Sequence, residues 1–119
     1  TVLDAIGANV LRNRTRFIER AHKIILNNLN ILSEWVESHN ELTWVKPPGG
    51  TIACIKLPRN FDSMLFSEFL LKEFSTLVVP GDFFWLRGFI RISFGGDSDK
   101  LRDGLKNISK ALAEYQRQQ

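Results

Sequence analysis

Arg91 is the residue of this chain with the clearest capacity for binding chemistry. It lies in the middle of a strand-like segment, residues 88–95, which reads GFIRISFG. Because side chains alternate along a strand, Ile90 and Ile92 fall on one face and Arg91 falls on the other. A guanidinium presents a planar fork that can bind a carboxylate through two parallel hydrogen bonds. The segment therefore predicts a carboxylate site at Arg91; the alternative is an Arg side chain that simply extends into water.

Other residue types that carry catalysis or bind metals do not occur in productive patterns. His22 and His39 have no second His or Cys at metal-ligand spacing, and Cys54 is the single cysteine. No Ser-His-Asp pattern with elbow glycines is present. The pair Gly49-Gly50 lacks the following Lys-Ser or Lys-Thr of a phosphate loop. We therefore expect no metal site and no catalytic residue in this chain.

Three consecutive aromatic residues, Phe83, Phe84 and Trp85, occupy a predicted loop just before the Arg91 strand. One interpretation is a loop whose aromatic rings plug into the hydrophobic core. The other is an apolar wall of a ligand site, or an anchor at a protein interface. The sequence leaves both interpretations open.

Composition predicts a soluble globular domain spanning residues 1–119, because 44% of the residues are hydrophobic and 24% are charged. The net charge of +3 is modest, and a solvated helix face explains the basic residues near the start as well as a phosphate track does. No apolar run approaches a membrane span, and no signal-peptide layout is present. The basic residues near the start of the chain are Arg12, Arg14, Arg16 and Arg20. From these features together we expect a cytoplasmic protein with no nucleic-acid or membrane partner.

The elements that would position Arg91 can be read from periodicity and breakers. Residues 11–39 show apolar positions at three- and four-residue steps, which predicts a long amphipathic helix that reaches beyond its own domain. Strands are predicted at 43–45 and 51–57, joined as a hairpin by the turn at residues 47–50, which read PPGG.

The second half of the chain repeats this alternation of helix and strand. Asp62 or Ser63 is expected to cap a helix over residues 65–74, and Asp97 or Ser98 to cap the final helix. Between them, residues 77–79 form a short apolar strand, and the Arg91 strand follows. The order α-β-β-α-β-β-α predicts an α+β fold with a small, mostly antiparallel sheet covered on one face by helices.

Taken in order, four segments resemble the C-terminal small domain of fold-type I, pyridoxal-phosphate-dependent aminotransferases (the class I/II, aspartate-aminotransferase-like group). The segments are residues 28–35 (NLNILSEW), 45–51 (VKPPGGT), 77–84 (LVVPGDFF) and 89–95 (FIRISFG). The resemblance covers nearly the whole chain. It implies that Arg91 binds the α-carboxylate of an amino-acid or keto-acid substrate.

The resemblance also implies what this chain would lack. The Schiff-base lysine and the other cofactor ligands of such enzymes lie in a large domain, so pyridoxal 5'-phosphate belongs to the full-length enzyme and none is expected on this chain alone. Lys46 has a loosely similar context but precedes the Pro-Gly turn, so we reject it as the cofactor lysine. The resemblance implies a homodimer when full-length and an inactive isolated chain. The alternative is a free-standing α+β module that binds a carboxylate or a protein.

Overall fold

The computed structural model describes the backbone of residues 2–47 and 50–118, and side chains from residue 7 onward within those ranges, except residue 9. The fold is α+β, as the sequence predicts. Within these ranges, three α-helices and four strands alternate in the predicted order, with one short 3-10 helix added. Their bounds are α1 Val2–Glu37, β1 Thr43–Trp44, β2 Ile52–Lys56, α2 Ser63–Phe74, β3 Val79–Pro80, the 3-10 helix Gly81–Phe84, β4 Phe89–Ser93 and α3 Ser98–Arg117.

The four strands form one antiparallel sheet in the order β1-β2-β4-β3. The predicted hairpin of the first two strands is confirmed by the pairing of Thr43 with Lys56. Its turn lies partly outside the described residues, but Gly50 has a φ of +80°, a left-handed conformation that suits glycine. The strand order puts β4 in the interior of the sheet, with a neighbour on each side.

One face of the sheet and the three helices enclose the hydrophobic core. Ile55, on β2, and Ile90, on β4, are completely buried on this face. Leu32 of α1 and Phe66 of α2 are also completely buried, and Leu112 of α3 is nearly so. The opposite face of the sheet carries none of the three α-helices in the described part of the chain, and its residues on β2 and β4 are half-buried or exposed, as the pattern in β4 predicts.

The first helix is longer than its periodicity indicates. The predicted start at residue 11 is wrong, because α1 begins at Val2 and runs for 36 residues, or about 54 Å. Its end at Glu37 lies within two residues of the predicted boundary. Residues 10–20 of α1 are exposed, so the apolar stripe that packs into the core continues past the domain. None of the helices in the described part of the chain has the length and apolar character that a membrane span needs.

Two smaller predictions also need correction. The apolar strand expected at residues 77–79 forms at Val79–Pro80 instead, at the edge of the sheet, where a proline costs no ladder hydrogen bond. The segment after it, predicted as a loop, begins with the 3-10 helix Gly81–Phe84. Asp97 does precede α3, but its side chain makes no capping hydrogen bond.

Candidate functional site

Arg91 lies at the centre of the uncovered sheet face. Its neighbours across the strands are Cys54 on β2 and Val79 on β3. The alternation predicted from the sequence holds, since Ile90 and Ile92 are buried on the helix side while Arg91 is half-buried. An interior strand thus fixes the backbone of Arg91 by pairing on both sides, and its side chain emerges from the open face.

The guanidinium of Arg91 is packed against an aromatic ring. Its carbon atom Cζ lies 5.2 Å from the centroid of the Phe84 ring, within the range of a cation–π contact. No carboxylate lies within 4.0 Å of this guanidinium among the residues that the structure describes. The cation therefore has an aromatic neighbour, but its hydrogen-bond donors face no carboxylate in the described part of the chain.

The segment from Gly81 to Gly88 forms a closed loop that carries Phe84. The amide of Leu86 donates to the carbonyl of Gly81 at 2.8 Å, which closes the loop. Glycine is required at position 81, because a Cβ there would lie 1.9 Å from the Leu86 carbonyl oxygen. At the other end, Gly88 has a φ of +90°.

One buried hydroxyl joins the two ends of this loop. Ser63, at the start of α2, is completely buried and donates its hydroxyl hydrogen to the Asp82 carboxylate. The same oxygen accepts the backbone N–H of Gly88 at 2.9 Å. Asp82 also faces Arg87 at 3.8 Å, an ion pair whose Arg side chain is largely exposed and therefore contributes little. The sequence proposed Ser63 only as a helix cap, so this link could not be seen from local pattern.

The three consecutive aromatic residues differ in how far their side chains are exposed. Phe84 is half-buried beside Arg91, whereas Phe83 is 71% exposed and Trp85 is 97% exposed. The interpretation of the cluster as a plug for the core is therefore wrong for Phe83 and Trp85. Trp85 also has a φ of +66°, which is strained for an aromatic residue.

The two histidines lie on or next to α1, and the contacts of His39 are with Trp35 and with Ser109 on α3. His22 is exposed on α1. His39 follows α1, where its Nδ1 lies 2.7 Å from the carbonyl oxygen of Trp35 and its Nε2 lies 3.1 Å from Oγ of Ser109 on α3. Within the described ranges no group of three or more His, Cys, Asp or Glu residues could hold a metal ion.

Comparison with known protein families shows which family the chain belongs to. Residues 1–108 match the model of the family described as aminotransferase class I and II. The match covers most of the chain, and the chain belongs to this family.

Individual relatives agree with this assignment. The chain is 44% identical over 48 residues, 40% of its length, to a probable aspartate/prephenate aminotransferase of Aquifex aeolicus. It is 32% identical over 105 residues, 83% of its length, to aromatic-amino-acid aminotransferase 2 of Thermococcus litoralis. Among solved structures, a PLP-dependent aminotransferase from Streptococcus suis 89-1591 matches 93% of the chain with a TM-score of 0.83 and 27% identity.

The chain is much shorter than these proteins. It spans 12% of the Aquifex relative and 24% of the Thermococcus relative. It spans 30% of the Streptococcus structure. The similarity therefore concerns a portion of each of these proteins rather than its whole length.

Proposed function

We propose that this chain is the C-terminal small domain of a pyridoxal-phosphate-dependent aminotransferase, in which Arg91 binds the α-carboxylate of the amino-acid or keto-acid substrate. The observation that carries the proposal is the state of Arg91. Its guanidinium emerges from an uncovered sheet face and contacts the Phe84 ring, with no carboxylate partner among the described residues. A cation that has no carboxylate partner among the described residues is suited to binding an anionic ligand.

The fixed backbone of Arg91 matters for chemistry as well as for affinity. Pairing with Cys54 and Val79 on both sides restricts how far the strand can shift. A guanidinium that binds a carboxylate bidentately also orients the rest of the substrate, and correct orientation lowers the barrier of the subsequent reaction. Carboxylate binding and substrate orientation are the roles that we assign to this chain.

The cofactor site is proposed to lie outside this chain. Pyridoxal phosphate, when bound, supplies the electron sink for reactions at the substrate α-carbon. The described residues do not fit it, because each of the seven lysines is exposed, including Lys46 after β1. A separate large domain of the same polypeptide is proposed to hold the cofactor, with a homodimer as the full-length assembly. The 119-residue chain alone is accordingly proposed to be inactive in transamination.

The proposal is tested by Arg91→Lys in the full-length enzyme. Lysine keeps the charge but loses the planar fork and the stacking on Phe84. We expect the KM for the amino acid to rise and kcat/KM to fall by about 10- to 100-fold, the loss typical of a hydrogen bond to a charged group. Steady-state kinetics with several amino acids measures both quantities, and every substrate should be affected because each has an α-carboxylate.

Arg87→Lys is the matched control, because Arg87 is an exposed arginine four residues away whose ion pair with Asp82 is long, at 3.8 Å. It should leave the kinetics near those of the unmodified enzyme. If Arg91→Lys were as mild as this control, the assignment of Arg91 to the substrate carboxylate would be wrong.

A further inference from the structure

We propose that Ser63 is a positioning residue for carboxylate binding at Arg91, acting through the loop that carries Phe84. This inference rests on the proposed function, because it concerns how the Arg91 site is kept ready for its ligand. Ser63 lies on α2, not on the open sheet face, so it would act without touching the substrate. Its hydroxyl acts on the loop through Asp82 and Gly88.

The hydroxyl of Ser63 is placed to act as a two-sided clamp. It is completely buried, so water does not reach it, and its two hydrogen bonds within the protein satisfy the hydroxyl instead. One bond goes to Asp82, in the first turn of the 3-10 helix Gly81–Phe84, and the other comes from Gly88, directly before β4. A single oxygen atom therefore ties the beginning of the loop to its end.

The loop in turn sets the position of the Phe84 ring. Phe84 belongs to the same short 3-10 helix as Asp82, two residues further along. This helix is only four residues long, so its own hydrogen bonds hold it weakly. The Ser63 hydrogen bonds tie this helix to α2, and the local Leu86 to Gly81 hydrogen bond closes the loop that holds Phe84 near the Arg91 guanidinium.

A fixed Phe84 would lower the entropic cost of binding. An Arg side chain loses much rotamer freedom when a ligand immobilises it. Packing of the guanidinium against an aromatic ring restricts those rotamers before the ligand arrives, so less freedom remains to be lost. Loosening the loop should therefore weaken carboxylate binding while Arg91 itself remains present.

The experiment compares Ser63→Ala with Ser67→Ala in the full-length enzyme. Ser67 lies one turn along α2 and is also buried, but its hydroxyl donates only to the backbone carbonyl of Ser63 at 2.7 Å. Both variants lose a buried hydroxyl of the same helix, and only Ser63→Ala releases the loop. We expect Ser63→Ala to raise the amino-acid KM and the Kd of a simple monocarboxylate inhibitor such as acetate by about tenfold.

The split between KM and kcat separates positioning from damage to the fold. Loss of a binding interaction made equally in the ground and transition states raises KM and leaves kcat within about twofold. A fold that is merely damaged instead lowers the amount of active enzyme, which reduces apparent kcat and leaves KM unchanged. Ser67→Ala should change neither constant by more than about twofold.

Rescue at Asp82 provides a second measurement. Asp82→Asn retains an oxygen that accepts the Ser63 hydroxyl hydrogen, whereas Asp82→Ala removes the acceptor. We expect Asp82→Ala to reproduce the rise in KM of Ser63→Ala and Asp82→Asn to stay close to the unmodified enzyme. This pair remains informative if Ser63→Ala fails to fold.

The outcomes distinguish this inference from the proposed function. If Arg91→Lys weakens carboxylate binding but Ser63→Ala and Asp82→Ala leave KM and the inhibitor Kd unchanged, the clamp has no positioning role and only this inference fails. A fall in apparent kcat at constant KM would overturn it equally. If Arg91→Lys itself has no effect on carboxylate binding, the proposed function fails first.

Discussion

Arg91 is held by neighbouring residues, and no carboxylate lies within 4.0 Å of its guanidinium in the described ranges. Strand pairing fixes its backbone, and its guanidinium carbon lies 5.2 Å from the centroid of the Phe84 ring. Such an arrangement leaves the hydrogen-bond donors of the fork available, which an internal salt bridge would not. At the scale of single residues, this arrangement supports the proposal that Arg91 binds the carboxylate of a ligand.

Two glycine-to-alanine substitutions, one in the loop and one in α3 for comparison, test how closely the ends of the loop are packed. At Gly81 a methyl group would lie 1.9 Å from the Leu86 carbonyl oxygen, so Gly81→Ala should lower the free energy of unfolding by about 1–3 kcal/mol. At Gly104, inside α3, a methyl group would meet no atom within 4 Å, so Gly104→Ala should raise it by about 1 kcal/mol. Urea denaturation measures both changes.

The same substitution is thus expected to have opposite signs at the two positions. A stabilising or neutral Gly81→Ala would mean that the loop can open without cost, and that its ends are not held as closely as the structure shows. A destabilising Gly104→Ala would mean that this part of α3 packs against something other than solvent.

At the scale of elements, α2 is fixed at its start by two different side chains. Asp62, one of the two cap candidates from the sequence, is the N-cap, and its Oδ1 accepts the backbone N–H of Leu65 at 3.0 Å. Ser63, the next residue, turns inward and clamps the loop. Asp62 therefore caps the helix, while Ser63 bonds to a loop distant in sequence. The local sequence pattern could reveal only the cap.

This division predicts a difference between two aspartates at helix starts. Asp62→Ala should lower the free energy of unfolding by about 1 kcal/mol, because it leaves the Leu65 amide without its acceptor. Asp97→Ala should cost less than about 0.5 kcal/mol, since Asp97 precedes α3 but makes no side-chain capping bond. Thermal or urea unfolding of the two variants makes the comparison, and equal losses would contradict it.

At the scale of the whole molecule, the chain is elongated rather than round. Its principal extents are 70 × 26 × 26 Å, because the first half of α1 projects from the domain. That projection bears large apolar side chains on its surface, among them Leu11 at 64% and Phe17 at 73% exposure. Apolar residues grouped in this way usually mark a surface that packs against protein.

The projecting helix should make the isolated chain self-associate and bind an apolar dye. We expect Phe17→Glu to weaken association by about tenfold, since burial of a large apolar side chain contributes on the order of 1.5–3 kcal/mol. Analytical ultracentrifugation over a range of concentrations measures this. Asn13→Glu, at a neutral exposed position four residues earlier on the same helix, controls for the single added negative charge. If both variants associated alike, charge rather than apolar contact would govern the assembly.

Much of the fold could be predicted from the sequence because its signals are local. The alternation around Arg91 predicted which residues of β4 are buried, and Asp62 marked the start of α2 correctly. The helix boundary at residue 11 was wrong because α1 continues into a segment whose apolar spacing is less regular. The edge strand shifted to Val79–Pro80 because strand pairing with β4, not local propensity, decides its position.

The sequence by itself determined the α+β order of elements, the strand that bears Arg91, and the face on which that side chain emerges. These follow from side-chain periodicity and chain breakers, which act over a few residues. Only the tertiary structure decided that Phe84 lies against Arg91, that Phe83 and Trp85 are exposed, and that Ser63 clamps the loop. Ser63 and Gly88 are 25 positions apart, and such a contact forms only when α2 packs beside the loop that precedes β4, which no local pattern specifies.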